Sequence, residues 1–277
     1  MTEKTIHELL NFSILNIDKP AGPTSFWVDL QVKKALGLSK TSHFGTLDPK
    51  VTGVLPVALG RACRLSDYFM HREKKYVGIM RVHQEIEREK LEEEISKFIG
   101  KIMQLPPVKS RVKREERERE VFSWRILEQD GKDFLFETEV EAGTYIRKLI
   151  SDLGDKIGGA HMLELRRIKA GIFSEEDEDF TNLYDFEKAV EAWKNGSEEE
   201  IRKILIPAEK ALEKVLPVSQ VKKEAVKQLL TGKPIFKEDI EKIEGERFAV
   251  FCQDRFIGVY KKVKEMAIIA RPEFVFN

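Results

Sequence analysis

Short strand-like segments, punctuated by glycine and proline and interleaved with amphipathic helices, run the length of this 277-residue chain. Residues 13–18 are apolar and end at Lys19-Pro20, and residues 75–83 alternate as a half-buried strand does. Asp130-Gly131 joins two further strand-like segments and favours a hairpin. Residues 145–157 have the apolar spacing of an amphipathic helix. The pattern predicts a mixed fold of the α+β class.

The segments after Pro217 are mostly short and β-like, which predicts a change of domain there. We expect an α+β domain over residues 1–216 and a small, mostly β module over residues 217–277. Within this module Ser219 is expected to cap a helix over residues 222–230.

Charge and cysteine content exclude several classes of protein. The 48 Lys and Arg balance 48 Asp and Glu, which argues against binding nucleic acid by bulk charge. The distribution is uneven, because residues 109–114 are basic whereas residues 174–179 are acidic and expected to be solvated. Two distant cysteines favour a reducing compartment. The longest apolar run, residues 53–60, is too short to span a bilayer, so no membrane association is expected.

Common catalytic signatures are missing, and the five histidines have no zinc-ligand spacing, so neither a metal nor a cofactor is expected. One loop, residues 43–49 (His-Phe-Gly-Thr-Leu-Asp-Pro), holds an acid between a glycine-containing turn and a proline. Apolar sequence follows, which favours a fixed and partly desolvated carboxylate able to act as a nucleophile or general base. The alternative is structural, since Asp-Pro pairs usually start turns or cap helices.

Five motifs occur together, and their order and spacing resemble the TruB family of RNA pseudouridine synthases from about residue 11 to residue 173. They are residues 18–25 (DKPAGPTS), 43–49, 75–77 (KYV), 143–147 (GTYIR) and 159–167 (GAHMLELRR). Residues 50–59 and 106–110 are closer to the archaeal and eukaryotic box H/ACA branch, the dyskerin-like enzymes. Residues 217–277 resemble a shortened PUA domain, a small RNA-binding β-barrel. For the larger domain the resemblance implies a mixed, largely antiparallel sheet.

The resemblance implies three catalytic residues. Asp48 matches the family's nucleophilic aspartate, and Arg147 matches the arginine that pairs with it and keeps it ionised. Tyr76 matches the tyrosine that stacks on the flipped-out uridine and takes its ring proton. The reaction breaks the uracil N-glycosidic bond, rotates the base and rejoins it through carbon. Whether the carboxylate attacks the ribose or the ring stays open.

The resemblance also implies RNA contacts. His43 is expected beside the flipped nucleotide, Lys19 beside the catalytic loop that it supports, and Leu165 in the apolar wall around the base. The remaining contacts are expected at basic residues, some of them on a loop that closes over the RNA in this family: Lys109, Arg111, Lys113, Arg114, Arg166 and Arg167.

Four residues depart from the family's usual pattern without removing a catalytic group. Ser42 replaces a glycine, Gln84 stands where glycine is common, and Arg111 stands where alanine is common. Phe44 follows His43 in place of a smaller residue, and its bulk is expected to narrow or re-aim the loop that meets RNA.

The partners that the resemblance implies are substrate rRNA or tRNA, a box H/ACA guide RNA and small core proteins, with no DNA. The expected location is the cytoplasm of an archaeal cell, or the nucleus and nucleolus of a eukaryotic one. Two alternatives remain open, a stand-alone tRNA synthase acting on the TΨC loop and a non-catalytic RNA-binding scaffold.

Overall fold

The computed structural model describes residues 4–106 and 113–277, whose strands form two sheets. The larger sheet contains β1 (Ser13–Lys19), β2 (Thr41–His43), β3 (Thr52–Leu59), β4 (Lys74–Val82), β5 (Gly100–Gln104), β6 (Arg117–Asp130), β7 (Asp133–Val140), β8 (Ala160–Ala170), β9 (Phe173–Ser174), β10 (Phe180–Asn182) and β11 (Ile206–Pro207). Its main order is β10-β1-β3-β8-β4-β7-β6-β5, and β11, β2 and β9 pair with β1, β3 and β8. Among the described strands of this larger sheet, only the β1–β10 and β3–β8 pairs are parallel, which confirms the mixed, largely antiparallel sheet.

Helices pack against this sheet through their apolar faces. They are α1 (Ile6–Asn11), α2 (Ser25–Ala35), α3 (Ser66–Met70), α4 (Arg88–Ser96), α5 (Ile146–Ile157), α6 (Leu183–Lys194), α7 (Glu199–Ile204) and α8 (Ala208–Glu213). The Thr24 hydroxyl caps α2 by accepting the backbone N–H of Trp27, and α5 buries Leu149, Ile150 and Leu153. No helix in the described part of the chain combines the length and apolar character needed to cross a membrane.

The smaller sheet follows Pro217 and has the order β12-β14-β15-β16-β13. Its elements are β12 (Val218–Gln220), α9 (Val226–Leu229), β13 (Ile235–Phe236), β14 (Arg247–Cys252), β15 (Arg255–Lys262) and β16 (Ile268–Val275). The strands curl into a half-barrel, in agreement with the expected small β module. The expected cap at Ser219 is wrong, because Ser219 lies inside β12 and the following segment is a 3₁₀ turn at Lys223–Ala225 that leads into α9.

An aromatic cluster joins the two sheets. Phe12, just before β1, lies 4.1 Å from the ring of Phe276 and 5.7 Å from that of Phe274, both near the end of the chain. Phe256 of β15 stacks on Phe12 at 5.6 Å. The smaller sheet is therefore packed against the start of β1, the strand whose other end reaches the site described below.

The acidic segment 174–179 is less solvated than expected. The Asp177 carboxylate accepts hydrogen bonds from the Ser174 backbone N–H and from Asn16 Nδ2. Asp179 is half-buried, and burial together with neighbouring Asp177 raises its pKa to about 6. The expectation of a solvated segment is therefore wrong for these two carboxylates. They lie between β9, which pairs with β8, and β10, which pairs with β1, so the sheet covers part of each.

Candidate active site

The loop that carries Asp48 connects β2 to β3 and rests on a buried lysine. The Lys19 ammonium, at the end of β1, donates to the carbonyl oxygens of Pro20 (2.8 Å), Pro49 (3.1 Å) and Val51 (2.9 Å). Desolvation lowers the pKa of Lys19, while the Asp48 carboxylate acts in the opposite direction. Lys19 is fully buried, so its support of the loop agrees with the structure whereas its expected RNA contact is wrong.

A second set of hydrogen bonds holds the residues on either side of Asp48. Ser25 Oγ accepts from the Leu47 N–H at 2.9 Å and donates to the Leu47 carbonyl at 3.2 Å. The backbone N–H of Gly22 donates to the Pro49 carbonyl at 2.8 Å. In the sequence Ser25 is only the last residue of the motif 18–25, whereas in the structure its hydroxyl joins the start of α2 to the loop of Asp48.

Asp48 and Arg147 meet at the surface of this loop. Arg147 Nη2 lies 2.9 Å from Asp48 Oδ2, and the side chains are 57% and 56% exposed. Arg147 stands in the first turn of α5 while the opposite face of that helix is buried, which directs its guanidinium to the loop. Just under half of the Asp48 side chain is covered, because the loop is held from beneath while its tip stays open to water.

Tyr76 lies near the start of β4, between β7 and β8, and faces Arg167 of β8 in the sheet register. Arg167 is 1% exposed and donates to the carbonyls of Val54 (2.8 Å) and Gly45 (2.9 Å). The Tyr76 side chain, its neighbour in the strand register, interacts electrostatically with this guanidinium. The expected RNA contact of Arg167 is therefore wrong, since every group it binds belongs to the site itself.

Lys74 is a third buried cation, and sequence reasoning missed it. It stands two residues before Tyr76 on the same face of β4, and its ammonium donates to the carbonyls of Met70 and Arg72. Burial and the nearby Arg167 charge lower the pKa of Lys74 to about 8. The two-residue alternation of β4 was the available signal that Lys74 shares the face of Tyr76.

His43 ends β2 beside the catalytic loop and is held on both ring nitrogens. Nδ1 lies 2.6 Å from Asp29 Oδ2, and Nε2 lies 3.0 Å from Thr46 Oγ1. Asp29 is a buried residue of α2 that sequence reasoning did not single out. The arrangement keeps the imidazole half-buried at the mouth of the site, where it is available to a bound nucleotide.

Phe44 lies beneath the loop instead of above it. Its side chain is 1% exposed, stacks on Phe69 at 5.0 Å and lies 6.3 Å from Phe173. The expectation that Phe44 narrows the RNA-facing surface is wrong, because an aromatic core formed by later parts of the chain accepts the ring.

The remaining predicted RNA contacts differ in their surroundings. Arg166 donates to Asp18 (2.9 and 3.1 Å) and to Glu175 (2.7 Å), so its guanidinium is engaged within the protein. Leu165 is mostly buried against Gly78 of β4, where an added Cβ would lie 2.9 Å from Leu165 Cδ1.

Lys113 and Arg114 are exposed, and Lys113 pairs with Glu115 at 2.7 Å. Lys109 and Arg111 lie outside the described residues. Within residues 4–106 and 113–277, no three His, Cys, Asp or Glu side chains are placed to hold a metal ion.

Comparison with known proteins agrees with this geometry. Residues 33–146 match the family profile of the TruB family pseudouridylate synthase N-terminal domain, and residues 147–213 match that of the tRNA pseudouridylate synthase B C-terminal domain. Two curated relatives, both named probable tRNA pseudouridine synthase B, come from Methanopyrus kandleri and Nanoarchaeum equitans. They are 43% and 46% identical over 90% and 76% of this chain, which spans 75% and 60% of their lengths.

Two solved structures extend the likeness over 99% of this chain and 88% of each matched chain. One is a Cbf5-Nop10-Gar1 complex, with a TM-score of 0.90 and 39% identity. The other is an H/ACA RNP bound to a substrate RNA containing 2'-deoxyuridine, with a TM-score of 0.88 and 37% identity. The chain belongs to the TruB family of pseudouridine synthases.

Proposed function

We propose that this pseudouridine synthase isomerises uridines of rRNA or tRNA as the catalytic subunit of a box H/ACA guide-RNA ribonucleoprotein. The observation that carries the proposal is the extent of the likeness to the chain of the Cbf5-Nop10-Gar1 complex, which includes the smaller sheet as well as the larger one. In such a particle the guide RNA selects the uridine by base pairing. The protein then needs no strong sequence readout and no large net positive charge, in accord with its balanced composition.

Asp48 is the proposed nucleophile, and the contact with Arg147 supports its ionised form without burying it. The carboxylate adds to the ribose or to the uracil ring, the N-glycosidic bond breaks, and the detached base rotates. A carbon–carbon bond to the ribose then forms as the carboxylate leaves. The ring carbon gives up its proton to Tyr76, and the ring nitrogen freed from the ribose takes up a proton in exchange, so the product is an isomer of the substrate. Bound RNA covers the exposed tip of the loop, which excludes water from the Asp48–Arg147 pair and strengthens their attraction.

Arg167 and Lys19 act as positioning residues in this proposal. Arg167 binds the carbonyl groups of Gly45 and Val54, which lie on either side of Asp48 in the chain, and it faces Tyr76 on the neighbouring strand. Lys19 binds the carbonyls just before and after the same loop. Together they set the distance between the base that Tyr76 holds and the carboxylate that attacks.

RNA contacts are proposed at the exposed basic residues Lys113 and Arg114, at the undescribed Lys109 and Arg111, at His43, and at Leu165 as the apolar wall. The small β module, residues 217–277, is proposed as the shortened PUA domain and residues 1–216 as the catalytic domain. Lysines of the module then hold guide-RNA phosphates: Lys222, Lys223, Lys261 and Lys262. The relatives named above are archaeal, so we place the particle in the cytoplasm of an archaeal cell.

The test is a pseudouridine assay on a substrate strand, with and without its guide RNA and core proteins, using wild type and Asp48→Asn. The wild type is expected to modify the strand only when the guide RNA is present, and Asp48→Asn is expected to have no detectable activity while binding the same RNA. Asp254→Asn, which changes an exposed carboxylate in the smaller sheet, serves as the matched control. Unchanged turnover by Asp48→Asn contradicts the mechanism.

The curated relatives favour a second candidate function, since they are named as tRNA pseudouridine synthases. Modification of a bare tRNA transcript, in the absence of guide RNA and partners, is the result that this candidate requires. The same assay therefore decides between guide-directed and stand-alone action.

A further inference from the structure

One wall of the site is made by the start of α2. The segment 22–25 binds the residues on both sides of Asp48, through Gly22 to Pro49 and through Ser25 to Leu47. The next two residues after this segment are Phe26 and Trp27. They stand in the first turn of α2, one and two residues after the serine that binds Leu47.

Both rings are open to solvent. Phe26 is 71% exposed and Trp27 is 43% exposed, although the opposite face of α2 buries Val28 and Val32 in the core. Among the residues that the structure describes, neither ring pairs with another aromatic ring or with a cation. The core of the protein thus makes no use of them, and adjacent exposed aromatic residues of this kind usually mark a binding surface.

We infer that Phe26 and Trp27 form a stacking platform for an unpaired base of the substrate strand next to the target uridine. The inference rests on the proposed function, because it requires RNA at Asp48. A flipped-out uridine leaves its neighbours without a stacking partner, and an aromatic ring replaces that partner for any of the four bases. A platform of this kind suits an enzyme whose target sequence is chosen by a guide.

Position favours RNA over a protein as the occupant. The substrate strand must continue on both sides of the uridine held at Asp48, so it runs over the surface that is bonded to Leu47 and Pro49. Lys50, the exposed residue after Pro49, and the half-exposed Arg147 supply positive charge for its phosphates. The two rings thus belong to the same helix start that holds the loop of Asp48.

The test measures by fluorescence anisotropy the Kd with which the protein binds the substrate strand. Protein variants are compared on the intact strand and on strands that carry one abasic nucleotide at each position flanking the uridine. Phe26→Ala and Trp27→Ala are each expected to weaken binding about tenfold, within the range observed for single base–aromatic stacks. At saturating RNA, kcat is expected to stay within about twofold of wild type, because neither ring touches the reacting atoms. Phe122→Ala, which removes an exposed phenylalanine of β6, is the matched control and is expected to leave Kd unchanged.

The abasic scan identifies stacking as the cause of any loss. One flanking abasic site is expected to weaken wild type about as much as Phe26→Ala does, and to add little in that variant. Phe26→Leu keeps the apolar volume but lacks the aromatic face, so it is expected to lose affinity without losing thermal stability. Unchanged Kd in Phe26→Ala and Trp27→Ala overturns the inference. The inference is also overturned if these variants bind RNA normally but no longer bind a protein partner. Absence of pseudouridine formation by wild type overturns the proposed function instead, and the Kd measurements stand apart from that result.

Discussion

The candidate active site has a floor and a rim, and its basic residues behave in opposite ways in the two regions. The floor consists of Lys19, Lys74 and Arg167, which are buried and donate mainly to backbone carbonyls. The rim consists of the exposed Asp48 and Arg147 together with the aromatic pair on α2. In sequence, four of these charged residues, Lys19, Asp48, Arg147 and Arg167, look alike, because each lies inside a family motif. The comparison shows that a buried cation binds the protein's own backbone carbonyls and fixes the local structure, whereas an exposed cation stays available to substrate.

Physical chemistry explains the difference. A buried cation is tolerated only where hydrogen bonds replace its lost hydration, and its removal leaves several carbonyl groups without partners. Changes in the floor are therefore expected to affect stability and geometry together. Changes on the rim are expected to affect activity or RNA affinity while the protein stays equally stable.

The largest effect is expected just beneath the floor, from Phe44→Ala. Removal of this buried ring from its stack on Phe69 is expected to lower the free energy of unfolding by about 3–4 kcal/mol, because a cavity is left in the core. Chemical denaturation measures the change, and the surface variant Phe122→Ala is expected to differ from wild type by less than about 0.5 kcal/mol. A loss of RNA affinity with unchanged stability would instead place Phe44 on the rim.

On the rim, Arg147→Ala is expected to lower kcat about 10²- to 10³-fold, because the Asp48 carboxylate loses the cation that lies 2.9 Å away. The Kd for RNA is expected to change far less, since most phosphate contacts lie elsewhere. Thermal melting is expected to match wild type, because an exposed ion pair contributes little to stability. Equal loss of activity and affinity contradicts the pairing role.

In the floor, Arg167→Met is expected to lower kcat about tenfold to a hundredfold with KM nearly unchanged, because Tyr76 loses its fixed position relative to Asp48. Arg167→Lys is expected to recover part of this loss.

A double-mutant cycle with Tyr76→Phe separates positioning from general destabilisation. If Arg167 acts through Tyr76, its removal matters much less in the Tyr76→Phe background, whereas equal losses in both backgrounds would show a purely structural role. Arg72→Met, at a residue that donates to the Val215 carbonyl, is the matched control.

The smallest effect is expected at a half-buried carboxylate that belongs to neither region. The pKa of Asp179 is raised from 3.8 to about 6, so its contribution to stability is present at low pH and is lost as the pH rises through about 6. Asp179→Asn cannot ionise and is expected to gain about 1 kcal/mol over wild type at pH 8, after allowance for partial exposure, and nothing at pH 4.

Denaturation at the two pH values measures the gain. Asp177→Asn is the control with the opposite sign, because its carboxylate accepts the Ser174 N–H and its loss is expected to destabilise. A gain for Asp179→Asn that is equal at pH 4 and pH 8 would contradict the assignment.

Local patterns predicted much of the fold. The spacing of apolar residues placed α5 within a residue of its observed limits, and Asp130-Gly131 correctly indicated the hairpin of β6 and β7. Ser219 was misjudged, because a serine before a helical pattern is also compatible with a strand that pairs with a distant partner, here β14. Cap residues report local preference only, and sheet pairing overrides it.

The amino-acid sequence by itself determined the α+β class, the family motifs and the chemical types at the site, because these depend on local spacing and on residue identity. Only the tertiary structure decided which charges are buried and which are exposed. Neighbouring Arg166 and Arg167 point to opposite faces of β8, so one meets Asp18 and Glu175 while the other is buried beneath the loop. Burial depends on what distant strands place against each face. Short-range pattern carries no such information, and for that reason the floor of the site emerged only from the fold.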